Sequence, residues 1–149
     1  MIRARSVKET PGYALAKVGR AHRGNVGELL AEVGLHVGQE MVLIELWRED
    51  GLRGGELAER LGVEPPTVTK MLRRLERCGV VRRRQDPDDA RSFRVYLTDE
   101  GRSLEEPVAR CWERVEEKTF AGMSAGERET FHRLLTKVRV NLDPGFDAR

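Results

Sequence analysis

The chain is poor in the residues and patterns that most chemistries need. It holds two cysteines in 149 residues, Cys78 and Cys111. Their spacing matches neither a zinc motif nor a Cys-x-x-Cys redox pair. Both are expected to be structural filler, because a free thiol packs as a small hydrophobe. The histidines, His22, His36 and His132, lie far apart in sequence, and no acidic or cysteine spacing completes a metal site with them. No Ser/His/Asp or Cys/His arrangement and no phosphate loop is present, so neither an enzyme nor a cofactor is expected. No apolar run approaches the ~20 residues that span a bilayer. Met1–Ser6 lacks the apolar core of a secretory signal, which predicts a cytoplasmic protein with no membrane contact. Internal repeats and low-complexity tracts are also missing.

What the chain does have is charge and helical periodicity. Its 149 residues suit one domain (1–149), 39% apolar content can form a core, and a 35% charged fraction indicates a highly solvated surface. The stretch 54–101 organises the rest. Gly55–Leu61 reads as a helix closed by Gly62, and Pro65 opens a second helix that runs to Gly79. Two short helices joined around a glycine are a helix-turn-helix pattern, whose second helix enters the DNA major groove. Along that second helix Val68, Met71, Leu72 and Leu75 form an apolar stripe. Thr67, Thr69, Lys70, Arg73, Arg74 and Arg77 fall off the stripe, and hydroxyls and cations are the groups that contact phosphates and base edges. An ordinary solvated helix face is the alternative for these six.

Residues 80–85 follow as a strand, with Arg84 near its end, then a turn cluster at 86–90 and a return strand in which Phe93, Val95 and Leu97 alternate with polar neighbours. A hairpin after a helix-turn-helix is a wing. From Lys70 to Arg94 there are nine cations and four acids, a net +5 in a chain whose total is +2, so the remainder is net −3. Positive charge concentrated in one module is the footprint of nucleic-acid binding.

On either side lie apolar helices. Leu15, Val18, His22, Val26, Leu29 and Val33 make one stripe over 12–33, with His22 a packed histidine or, alternatively, a ligand contact. Gln39–Glu49 is apolar on nearly every side, so it should be buried, with Trp47 in the core. After Thr98 a long helix is expected to about Gly122, kinked at Pro107. Ser124–Glu127 is a capping box that starts a last helix with Phe131, Leu134, Leu135 and Val138 on its apolar face. These stripes exceed what one small domain can bury, which predicts a symmetric dimer. Residues 1–10 should fray and the tail 143–149 should be disordered.

Asp89-x-Arg91-x-x-x-Val95-x-Leu97-Thr98-x-x-Gly101 resembles the wing signature of the MarR family of winged-helix transcription regulators, and Glu56–Gly62 and Thr67-Val68-Thr69 also look like that family. The resemblance covers roughly residues 11–142. It implies a mainly α fold: a winged helix-turn-helix module (38–101) with N- and C-terminal dimerisation helices (11–35 and 102–142). It implies a homodimer, usually a repressor, on a pseudo-palindromic operator in double-stranded DNA, released by a small aromatic or phenolic ligand. It also assigns Arg91 to the minor groove, with Asp89 pairing to it and aiming it. The chain departs from the pattern at Arg53 and Glu64, where the family usually caps the two helices with Ser or Thr, and Pro65 and Pro66 remove two amides that could hold phosphate. A winged-helix protein-interaction module without DNA binding is the rival reading.

Overall fold

The computed structural model describes residues 1–143, and the expectation for the tail therefore lies almost wholly outside the described residues. The helices are α1 (Pro11–Ala31), α2 (Gln39–Arg48), α3 (Gly54–Leu61), α4 (Pro65–Arg77), α5 (Asp99–Ser103), α6 (Glu105–Thr119) and α7 (Ala125–Leu142). Three strands, β1 (Leu52–Arg53), β2 (Val81–Gln85) and β3 (Phe93–Leu97), form an antiparallel sheet in the order β1-β3-β2. The fold is mainly helical with a small antiparallel wing, as the periodicity predicts.

The core sits where α2, α3 and α4 meet the sheet. Leu43 and Leu46 of α2, Leu57 of α3, Val68, Leu72 and Leu75 of α4 and Val95 of β3 are all buried there. Gly62 ends α3 at φ 65°, ψ 34°, the left-handed geometry that an L side chain resists. Three residues later α4 has begun, so the turn holds the two helices at the angle their leucines need. Asp50 staples the sheet to the end of α2: its Oδ1 accepts from the Gly51 and Leu97 amides at 3.0 and 2.9 Å.

Outside the winged module, α1 packs along α6. The Thr10 hydroxyl caps α1 by accepting from the Tyr13 amide at 3.2 Å, with Pro11 in the first turn where no donor is missed. Val26 and Leu30 face the core, whereas Leu15 and Val18 remain exposed. The Ser124 capping box is complete, with both reciprocal bonds at 3.2 Å. No residue of α7 is buried, and Phe131, Leu134, Leu135 and Val138 stand open to solvent.

Several expectations need correction. Residues 4–9 form a 3₁₀ helix rather than a frayed end, closed by the Thr10 amide on the Val7 carbonyl at 3.1 Å. The helix after Thr98 is two helices broken at Leu104, not one kinked at Pro107. The cause is still Pro107. Its ring opposes the carbonyl four residues back, at Ser103, so the break appears upstream and proline itself sits in the first turn of α6. Met41 is 43% exposed and Ile44 and Trp47 are half-buried, so α2 is buried on one side, through Val42, Leu43 and Leu46, with Trp47 packed against the core rather than within it. Cys78 is exposed at the C-cap of α4, so it fills nothing. Cys111 does behave as filler: it is buried, its thiol donates to the Leu29 carbonyl at 3.4 Å, and burial pushes its pKa up.

Candidate nucleic-acid interface

The two faces of α4 separate cleanly. Val68, Leu72 and Leu75 are buried, while Thr67, Lys70, Arg73, Arg74 and Arg77 are exposed. Thr69 is half-buried, and its hydroxyl donates to the Pro65 carbonyl at 3.1 Å, leaving only its lone pairs for an outside donor. The helix N-terminus offers no amide to a phosphate. Pro65 and Pro66 have none, and the Thr67 and Val68 amides both turn back to the Glu64 carbonyl, at 2.9 and 3.3 Å. Glu64 makes no side-chain cap. At α3 the cap is half present: the Glu56 carboxylate accepts from the Arg53 amide at 3.3 Å, but arginine has no acceptor to return.

The wing's cations fall into two groups. Arg83 pairs with Glu76 at 2.5 Å and lies over the Phe93 ring, and Arg94 turns inward toward Asp86 at 3.4 Å. Among the described residues the other seven cations between 70 and 94 make no ion pair, including Arg84, which lies over the Tyr96 ring, and the exposed Arg91. Asp89 accepts from the Arg91 backbone amide at 2.9 Å. No ion pair joins their side chains, so Asp89 shapes the turn that carries Arg91 and does not grip its guanidinium.

Asp86 belongs to the turn cluster, and the structure turns it inward. Its side chain has no exposed surface. Oδ2 receives Arg53 Nε at 2.5 Å, Arg94 Nε at 3.4 Å and Ser92 Oγ at 3.4 Å, while Oδ1 accepts from the Asp88 amide at 3.0 Å. The Asp88 amide and the Arg53 guanidinium hold its carboxyl down to a pKa of about 2. Arginine in place of a cap at the start of α3 was the only hint in the sequence.

A MarR family model matches residues 35–93. The HTH-type transcriptional repressor Rv2887 of Mycobacterium tuberculosis is 31% identical over 127 residues, covering 85% of this chain and 91% of that protein. The chain belongs to the MarR family. The HTH-type transcriptional regulator TtmR of Methylorubrum extorquens is 44% identical over 93 residues, which are 62% of this chain and 46% of that longer protein. A mutant MarR from E. coli complexed with operator DNA superposes with a TM-score of 0.80 at 26% identity, over 85% of this chain and 91% of that one. A MarR protein from Peptoclostridium difficile matches in fold over the whole chain, with a TM-score of 0.86 at 23% identity. MarR proteins are transcriptional regulators, and their fold is the one described here.

His22 lies in α1, outside the winged module. It is half-buried with its ring 5.7 Å from that of Trp112. Both line a cavity of about 620 Å³ between α1, α6 and α7, together with Phe120, Phe131 and, despite its distance in sequence, His132. The cavity does not reach the winged module. Among the described residues no cluster of three or more metal-binding side chains exists, and no helix is long and apolar enough to cross a membrane.

Proposed function

We propose that the protein is a dimeric, sequence-specific transcriptional repressor that binds a pseudo-palindromic operator. The observation that carries this reading is a set of six cations on α4 and the wing, Lys70, Arg73, Arg74, Arg77, Arg84 and Arg91, that are exposed and make no ion pair among the described residues. Helix α4 lies in the major groove, where Thr67, Thr69, Lys70 and Arg73 read base edges, while Arg74, Arg77 and Arg84 engage phosphates. Arg91, at a turn shaped by Asp89, reaches the adjacent minor groove. With the amides at the start of α4 already bonded, backbone grip must come from side chains.

Two copies join through α1 and α7, in keeping with the exposed Leu15, Val18, Phe131, Leu134, Leu135 and Val138. The winged modules (38–101) are then carried by the dimerisation helices (11–35 and 102–142), with recognition helices about 34–36 Å apart. A small aromatic or phenolic ligand that prefers a different separation releases the DNA. His22 and its cavity are the place to look for it.

Selection of bound genomic fragments tests the reading. Recovered fragments should share an inverted repeat and lose affinity steeply with salt, and sedimentation should show twice the 16.9 kDa chain mass. Recovery of no fragment above background at low salt would leave the interaction-module alternative.

A further inference from the structure

Arg53 of β1 and Arg94 of β3 are direct partners in the antiparallel register. Two guanidiniums in that position repel each other unless something answers their charge. Both turn to one oxygen of Asp86, at 2.5 and 3.4 Å, and Arg94 Nη1 also donates to the Gly51 carbonyl at 3.0 Å. The same carboxylate carries the wing tip from within. It accepts from the Asp88 amide, and the backbone beside it closes the loop through Asp86 N to Ser92 O at 3.0 Å and Ser92 N to Asp89 O at 3.1 Å. One side chain thus ties the first residue before α3, the central strand and the loop that presents Arg91.

We propose that Asp86 is a positioning residue that sets the wing's angle to the helix-turn-helix, so that Arg91 and the cations of α4 meet one DNA surface together. Arg53 is its counterpart at the start of α3: the chain gives up a hydroxyl cap there and gains a link to the wing. This role rests on the DNA-binding reading above. Neither Asp86 nor Arg94 is offered to DNA. Asp86 is covered, and Arg94 faces it.

Hydroxyl-radical footprinting on a selected fragment separates positioning from plain stability. Asp86→Asn keeps the size of the side chain and an acceptor for the Asp88 amide, but turns a donor toward the guanidiniums. It should keep the protection under α4, lose the flanking minor-groove protection, and bind about tenfold more weakly, the order expected when one arginine loses its groove contact. Arg53→Ser restores a hydroxyl cap, so α3 does not weaken, yet the same flanking protection should vanish. If Asp86→Asn fails to fold, Arg53→Ser carries the test alone. Full flanking protection in a folded variant, or an even loss across the whole footprint, overturns the role of Asp86 while leaving DNA binding in place. A parent protein that protects no fragment overturns the DNA-binding reading, and the positioning role with it.

Discussion

Gly101 is the residue whose replacement should cost the fold most for the fewest atoms. It lies in α5, pressed against the end of the hairpin. A Cβ built there would stand 2.1 Å from the Val80 carbonyl oxygen and 3.1 Å from Leu97 Cδ2, where real Cβ atoms keep at least 3.0 Å. Backbone atoms must therefore separate by about 0.9 Å, and no side-chain rotation relieves the clash. The movement pulls on bonds made at both surfaces: the Thr98 amide to Val80 O at 3.1 Å, and Trp47 Nε1 to Gly101 O at 3.0 Å. Overpacking a close contact costs about 1–3 kcal/mol, and each weakened bond adds about 1 kcal/mol. Gly101→Ala should thus lose about 3–5 kcal/mol, a large share of the roughly 5–15 kcal/mol that holds a domain together. In a chain of this length that lowers the melting temperature by roughly 10 °C or more. The assay is thermal unfolding by circular dichroism at matched protomer concentration, since association shifts the midpoint. Gly55→Ala is the control. Nothing lies within 4 Å of its Cβ in α3, so it should gain about 0.4–1 kcal/mol. A Gly101→Ala protein melting within about 2 °C of the parent would refute the steric argument.

Four further outcomes are expected. Arg73→Ala should cost about 1–3 kcal/mol on the operator and little on random DNA if it reads a base, as competition binding would report. Arg91→Ala should weaken operator binding and reduce the slope of log affinity against log salt by about one unit, with an unchanged melting temperature. Asp86, held below its usual 3.8 at about 2, contributes stability that is complete above pH 3.8 and lost as pH falls toward 2. An acid titration of Asp86→Asn should lack that component. Glu40 is buried at the start of α2 with its pKa raised by desolvation, while its Oε2 accepts from the Gly38 amide at 2.7 Å. Glu40→Gln keeps an acceptor without the charge, so it should melt higher than the parent at pH 7, by a margin that narrows as the pH falls and the parent carboxylate takes up its proton.

What could be read from the sequence was what depends on near neighbours. The spacing of Val68, Leu72 and Leu75 gives a buried stripe because helical period alone places them together, and Ser124 and Glu127 cap α7 because a capping box closes within four residues. The hairpin was visible in its turn cluster. What stayed hidden depends on contacts across the chain. Asp86 looks like its neighbours Asp88 and Asp89 until the strand register brings Arg53, 33 positions away, to its carboxylate. Arg94 counts as a wing cation by composition, and only the register of β1 on β3 turns it inward. The break at Leu104 was misplaced because proline acts on the turn before it. For the interface, exposure of Lys70, Arg73, Arg74 and Arg77 follows from the helix period, whereas the internal bonds of the Thr67 amide and the Thr69 hydroxyl do not.

The two tryptophans divide the molecule optically. Trp47 reports from the winged module, its indole N–H tied to Gly101 beside the hairpin. Trp112 reports from the helices outside the winged module, 5.7 Å from the imidazole of His22 and on the wall of the cavity, with its indole N–H buried and without a hydrogen-bond partner among the described residues. Replacing either one by phenylalanine leaves a single tryptophan, whose emission can be excited selectively over that of the two tyrosines. A compound entering the cavity should then change the emission of Trp112 and leave Trp47 nearly dark to the event, while nucleic acid settling on the wing should do the reverse. A signal that crosses from one indole to the other would be a direct optical measure of communication between the two halves, obtained without attaching any dye.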